Sequence, residues 1–557
     1  MVPSVVVQCA AASFPATRPG SPHSTHDAEC QACICLVRVA IFFRRSNEAN
    51  IMAAAVQLWL ALAVTADHHA HHDWLVIGGG PVGTLAVAVL LKRGAQNVAW
   101  VERSFERMGR LAAYGSVPAN TRNDRLVNVF RSLPDFSFDA SQARRRERSD
   151  DGPLLSDAEP QGTLPLQASL DALRDGSNAL RWHARVVPYA GEVISLYGGQ
   201  ADGWSTAVRM APAEVNGTRR RRAEVFLVAD RVIVATGAVP RRPPAQLTAV
   251  LDAAGVRLLE FDDAVAPARL SELCAPRTNA SDAEPALRAA NSTGDGARTL
   301  RGALFAVVGG SHSGMLAARN ALEVCDAASV HVFSRGAIRL AEEREGWIKY
   351  DGTGLKGEVR DWAIEVLDAQ RADHMPLRGA GMGSPGAGEG VGSGGASCAP
   401  QVSFDGTITE HCDGERAGTT ATHGEERGEE AVSRVVLHTD APHTGEVEAD
   451  VAELGRRLVG LQIEALAWAT GFERQREGLP AVSWMGVTID LARAAYDGRN
   501  GAVNGAPGLH GVGIGFPEVY TDPEGLSEPR VGFVNSFVDH MHRIFDSSTA
   551  RAVDHRT

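Results

Sequence analysis

Two short stretches carry the residue types from which nucleotide chemistry is built. The first, Gly78-Gly79-Gly80-Pro81-Val82-Gly83, separates an apolar run beginning at Trp74 from a stretch of small and aliphatic residues, Leu85 to Leu91. Gly78, Gly80 and Gly83 have the spacing of a pyrophosphate-binding turn. The first glycine allows the tight turn, the second lets backbone approach the phosphates, and the third lets helix and strand pack closely. The helix opening at Pro81 adds its N–H groups and the positive end of its dipole. Glu102, followed by Arg103, lies 19 residues past Gly83 at the end of a second apolar run. An acid at that point receives a ribose 2′-hydroxyl. A bare glycine pattern is weak, but here strand, turn, helix, strand and terminal acid fall in register.

The second stretch, Gly309-Gly310-Ser311-His312-Ser313-Gly314, repeats the pattern with Ser311 at the middle glycine position. Its following strand, Val330 to Arg335, ends in Ser334 and Arg335 where the first unit has its acid. A hydroxyl and a guanidinium there bind a 2′-phosphate that a carboxylate would repel. Arg335 also reads as an ordinary surface arginine. His312 is expected to be a helix-start residue near the phosphates rather than a catalytic base.

These turns need sheets and helices to hold them. At 557 residues, 44% hydrophobic and 22% charged, the chain can build about two to four domains with real cores. The pattern divides it into a leader over 1–72, a first nucleotide unit over 73–245 and a connector with a helix or two over 246–300. A second unit follows over 301–375, then a glycine-rich flexible insertion over 376–432. A return to the first unit spans 433–548, with a tail over 549–557. The fold class is α/β, with two Rossmann-type domains, the second inserted in the first.

A net charge of -12 argues against a nucleic-acid partner, which would want a basic face. The basic runs Arg144–Arg146 and Arg219–Arg222 read as solvated loops. Met52 opens a short apolar stretch ending in Val64-Thr65-Ala66, with Arg44 and Arg45 upstream. It is too short to span a bilayer comfortably and has the form of a signal peptide's apolar region; a disordered tail is the competing reading. The expected location is therefore the secretory pathway, the ER lumen or outside the cell if Met52 begins a signal, and cytoplasmic otherwise. Sequons at Asn216, Asn279 and Asn291 fit a secretory route weakly. The histidines at 68, 69, 71 and 72 read as a polar linker. No metal site is expected: Cys30-Gln-Ala-Cys33 adjoins no strand or glycine turn, and Cys274, Cys325, Cys398 and Cys412 lack ligand spacing.

The sequence Val232-Ile-Val-Ala-Thr236-Gly237 and its counterpart Leu466-Ala-Trp-Ala-Thr470-Gly471-Phe472 resemble the Ala-Thr-Gly motifs that end the strands linking the two domains of flavoprotein pyridine-nucleotide oxidoreductases. Gly508 to Phe516, with Gly513 and Ile514, resembles the segment of that superfamily that closes over the flavin. The resemblance covers roughly residues 73–245, 300–375 and 450–545. It implies FAD at the first turn, NADPH at the second (with NADH as the alternative donor) and a small-molecule substrate.

Within the superfamily, Tyr114 to Phe136 is similar to a flavin-containing monooxygenase segment whose asparagine lies beside the flavin and the nicotinamide. By that match Asn120, followed by Thr121, is the residue carried over. Ser313-Gly314 and Phe472 fit the same branch. The Phe-x-Gly-x-x-x-His fingerprint of that family is absent from residues 241–303, and Ser311 replaces a glycine. The branch implied is therefore a divergent one: an oxidoreductase that reduces flavin with NADPH and uses O2 on an organic substrate. An oxidase or dehydrogenase without oxygenation, and a flavin-binding regulatory protein without turnover, are the alternatives. A disulfide reductase is disfavoured, because no cysteine lies between Glu102 and Ala229 and Cys325 stands alone on the second unit's helix. Arg344 to Trp362 either lines the site or is an ordinary loop and helix. His540 and His542 read as helix-face residues.

Overall fold

The computed structural model describes residues 71–136, 138–148, 154–160, 162–199, 203–212, 214–215, 218–219, 223–275, 299–374, 434–439, 447–532 and 534–554. The leader up to residue 70, all three sequons and the glycine-rich insertion lie outside these residues.

Strand β1 (His71–Ile77) and strand β2 (Val98–Glu102) read as apolar runs because both faces of their sheet are covered. They pair in parallel, from Trp74 opposite Val98 to Ile77 opposite Val101. Helix α1 (Pro81–Lys92) crosses between them, and every residue from Gly83 to Leu91 is buried. Next come α2 (Asn123–Arg131), α3 (Phe138–Arg148) and α4 (Leu166–Arg181). Strands β3 (Val186–Gly199) and β5 (Glu224–Val234) extend the parallel core on either side, β3 beside β2 and β5 beside β1. Both run past it to pair antiparallel with β4 (Gly203–Met210).

The chain leaves this unit through the short strand Ala238–Pro240 and re-enters through Phe472–Arg474, and these two pair antiparallel. Between them lie α5 (Ala245–Ala253), β6 (Arg257–Leu259), α6 (Phe261–Val265), α7 (Pro267–Cys274), β7 (Leu304–Val308), α8 (His312–Cys325), β8 (Ser329–Phe333), α9 (Gly357–His374), β9 (Arg434–His438), α10 (Val447–Gly460) and β10 (Ala465–Trp468). They form a second sheet, all parallel, in the order β9-β8-β7-β10-β6. After re-entry, β11 (Ala481–Trp484), β12 (Val487–Ile489) and β13 (Leu509–Gly511) complete the first sheet as β12-β11-β3-β2-β1-β5-β13, with β4 bridging β3 and β5. Helix α11 (Val534–Asp554) closes the chain against α1, packing Phe537, Met541 and Ile544 into the same core.

Several expectations change. Residues 434–468 belong to the second sheet through β9 and β10, so the return to the first unit begins at Phe472 rather than at 433. The connector is likewise part of the second unit, since β6 pairs with β10. Helix α11 runs into the expected tail. His71 and His72 start β1 rather than a linker: His71 Nε2 lies 3.0 Å from an Asp230 carboxylate oxygen, and His72 Nδ1 lies 2.8 Å from Asn97 Oδ1. Arg144–Arg146 sit in α3 rather than a loop, because Arg145 and Arg146 find Asp171 and Asp157 as partners. Cys325 does not stand alone. It forms a disulfide with Cys274, 51 residues earlier, joining the C-terminal ends of α7 and α8 at a Cα separation of 5.3 Å.

Among the described residues, no helix is long and apolar enough to cross a membrane, and no group of three or more His, Cys, Asp or Glu is placed to hold a metal.

Candidate functional site

The first turn is shaped by collisions that only glycine avoids. Gly78 has φ +115°, and a Cβ there would stand 2.4 Å from Ala235 O. A Cβ on Gly83 would stand 1.9 Å from Gly78 O. Both positions therefore serve packing of β1, α1 and the end of β5. Gly80 differs: it is extended (φ -68°, ψ -176°), and the nearest atom to a Cβ there is Met108 O at 4.0 Å. Neither backbone nor neighbours require glycine at Gly80. Open space lies in front of it.

Around the turn the sequence supplies its own supports. The Trp100 indole N–H donates to Gly78 O at 2.9 Å. Glu102 accepts from the Gly79 N–H at 2.5 Å and from the Ser104 N–H at 2.9 Å, which holds its carboxylate at the mouth of the turn. Arg103 pairs with Glu192 at 2.5 Å.

A cavity of about 520 Å³ opens from this turn. It brings together Gly78, Gly80, Pro81, Glu102, Arg103, Asn120, Thr236, Gly237, Ser313 and Ile514. Gly83, Gly309, Ser311, Gly314, Ser334, Arg335, Thr470, Gly471 and Gly513 do not line it. Gly83 and Gly314 are packing glycines, and Gly513 (φ +97°) rests on Val82. Ser334 donates to Gly336 O at 2.7 Å, and Arg335 is exposed just past the end of β8 without an ion pair among the described residues. The cavity thus runs from the first turn to the start of α8, while the end of β8 lies outside it.

Two features of this wall were not legible as functional. His312 starts α8, as expected, but also lines the cavity. Burial, with the nearby Lys356 ammonium second, holds its pKa down at about 4, so the ring is neutral near pH 7. Its Nδ1 has no hydrogen-bond partner among the described residues. The other feature borders the cavity through Arg110 and Tyr114. Arg110 donates to both carboxylate oxygens of Asp262, at 3.1 and 2.8 Å, and the Tyr114 hydroxyl donates to Asp262 at 2.5 Å. Burial first, then the bond to Asp262 and its charge, push the Tyr114 pKa up. Because Arg110 and Tyr114 belong to the first unit and Asp262 to α6 of the insert, this cluster ties the two halves together beside the opening. Such charge-assisted bonds contribute about 1.5–3 kcal/mol each where partly buried. Only Tyr114 carried any sequence signal. The pairing with Asp262, 148 residues away, is set by the fold.

Comparison with known proteins places these features in context. No family model matches the chain. It is 24% identical over 485 residues to a protein named Monooxygenase AgnR1 from Paecilomyces divaricatus, covering 84% of this chain and 96% of that one. Among solved structures, it is similar to the ornithine hydroxylase of Pseudomonas aeruginosa at 13% identity and a TM-score of 0.44, covering 86% of this chain and all of that one. It is also similar to Lactococcus lactis thioredoxin reductase at 12% identity and a TM-score of 0.38, covering 87% and 99%. Its two sheets are each built on a parallel core that carries a glycine turn, and over most of its length the chain is similar to a protein named as a monooxygenase.

Proposed function

We propose that the first turn holds FAD, that the second holds NADPH, and that the cavity between them is where hydride passes from nicotinamide to flavin before the reduced flavin is used with O2 to oxygenate a small organic substrate. The observation that carries this reading is the cavity itself, which joins the open space before Gly80 to the start of α8 and has Asn120 on its wall. The flavin supplies the redox chemistry when bound. The residues supply binding, orientation and exclusion of water.

Glu102 would exchange its present backbone partners for ribose hydroxyls, and the N–H groups at the start of α1 would receive the pyrophosphate. Gly237 (φ +83°) has no neighbour within 4 Å of where a Cβ would be, so backbone lies bare to the cofactor there. Asn120 offers an amide at the far wall, where a nicotinamide or flavin edge would meet it. His312, neutral, can accept or donate one hydrogen bond without placing a cation beside the hydride. The Arg110–Asp262–Tyr114 cluster fixes the gap between the two halves.

The exposed Arg335 supports NADPH over NADH. The test is stoichiometry: NADPH consumed, O2 consumed and peroxide released are measured on the FAD-loaded protein with a panel of organic substrates. Peroxide falling as oxygenated product rises supports oxygenation. Peroxide equal to NADPH under every condition makes the chain an oxidase.

A further inference from the structure

A second cavity, of about 460 Å³, meets the first at Asn120 and Gly532. It contains none of the glycine-turn residues and is lined by charged groups from α2, α9 and the Glu342–Arg344 strand. Most of those charges are already matched. Lys356 pairs with Asp351 at 2.5 Å, both about four-fifths shielded from solvent. Arg122 pairs with Asp124 at 2.6 Å and with Glu343 at 3.3 Å. Arg125 is the exception. It is half-buried on the first turn of α2 and makes no ion pair among the described residues. It also lines a third cavity, of about 450 Å³, that lies beyond.

The Asp124 carboxylate, held low chiefly by its bond to Arg122, also feels the Arg125 charge, but no carboxylate among the described residues pairs directly with Arg125; a planar anion that accepts its paired N–H groups would satisfy them. Resting on the cofactor assignment above, we propose that this second chamber is the substrate site and takes a small organic molecule bearing a carboxylate, held by Arg125, with its reacting end toward Asn120. The other wall charges are matched to one another by direct ion pairs, so the Arg125 guanidinium is the group left to take one anionic group on an otherwise neutral or polar body. The FAD and NADPH chamber approaches from the other side of Asn120, so substrate and cofactors need not share an entrance.

The test uses the full-length, FAD-loaded protein with NADP⁺ present and benzoate and benzamide as probes, read by thermal shift and by the flavin difference spectrum. Benzoate is expected to bind saturably and at least tenfold more tightly than benzamide. Arg125→Gln is expected to remove that preference, and Arg125→Lys to keep part of it. Equal binding of the two probes, absence of benzoate binding, or an unchanged preference in Arg125→Gln would each overturn the proposal. So would an equal weakening of NADP⁺ and benzoate in Arg125→Gln, which would assign the arginine to the nucleotide. Flavin content and NADP⁺ affinity are measured on the same samples. A protein that takes neither cofactor defeats the functional reading, whereas one that takes both without preferring the acid defeats only the substrate class. The thermal shift reads probe binding in either case.

Discussion

At the first glycine turn a Cβ on Gly78 would stand 2.4 Å from Ala235 O; at the second, a Cβ on Gly309 (φ +130°) would stand 2.3 Å from Ala469 O. The last glycines match too: a Cβ on Gly83 would stand 1.9 Å from Gly78 O, and one on Gly314 would stand 1.8 Å from Gly309 O. A Cβ on Gly79 would meet the Glu102 side chain at 2.4 Å, and one on Gly310 would meet the Ser334 hydroxyl at 2.5 Å. One backbone solution has therefore been used twice, each time against the alanine of an Ala-Thr-Gly strand end. What differs is what the turns face. The first ends its second strand in a carboxylate and opens into the cavity. The second ends in a hydroxyl and a free guanidinium and reaches the cavity only through His312, Ser313 and Leu316. Shared glycines thus report on helix–strand packing, and the residues beside them report on the ligand.

The largest effects should come from the packing glycines. Gly83→Ala forces a methyl into a backbone carbonyl and is expected to cost more than about 3 kcal/mol of stability with loss of bound flavin. Gly314→Ala should do the same to the second unit, with NADPH binding lost first and flavin retained. Thermal denaturation and flavin absorbance on both variants check this, and equal loss of flavin in both would break the distinction.

Next come the middle positions. Gly80→Ser should leave the melting temperature nearly unchanged, because the space is open, yet weaken FAD at least about tenfold, or 1.4 kcal/mol. Ser311→Gly should change little, since Ser311 is extended (φ -84°, ψ 177°) and makes no capping bond through its side chain. Isothermal titration with each nucleotide measures both. Strand-end residues should then separate the cofactors. Arg335→Glu is expected to raise the NADPH Kd about tenfold and leave NADH unaltered, whereas equal effects on both would remove the 2′-phosphate role.

The smallest effect concerns pH. His312 has its pKa depressed from 6.5 to about 4, so the unfolded chain binds more protons than the folded one between those values. Its neutral form contributes stability that is complete above about pH 6.5 and declines as pH falls toward 4. Unfolding followed from pH 7 to 4.5 should show a shallower loss in His312→Gln than in wild type. Parallel curves would mean that the imidazole titrates normally.

Much of this was readable in the residues. Gly78, Gly83 and Glu102 announced the first unit because local sterics and one strand-end charge define it. The second unit was equally plain from Gly309 to Arg335. Its extent was not, because β9, β10 and β6 join that sheet through parallel pairings between segments far apart in sequence, which hydrophobic runs alone do not specify. Asn120 was placed by resemblance to a motif, and it does line the cavity. Asp262 and the Cys274–Cys325 bond carry no local signal: each depends on elements that meet only in the folded chain. Ser311 looked like a departure from pattern, yet its extended backbone shows that this position never required glycine for its conformation.

The most direct test of the central claim is the absorbance spectrum of the purified protein supplied with FAD, recorded before and after anaerobic addition of NADPH. A yellow protein with one flavin per chain that bleaches on NADPH is the expected result. A protein that takes up no flavin would contradict the assignment of the first turn, and one that stays yellow with NADPH would contradict the pairing of the two turns across one cavity.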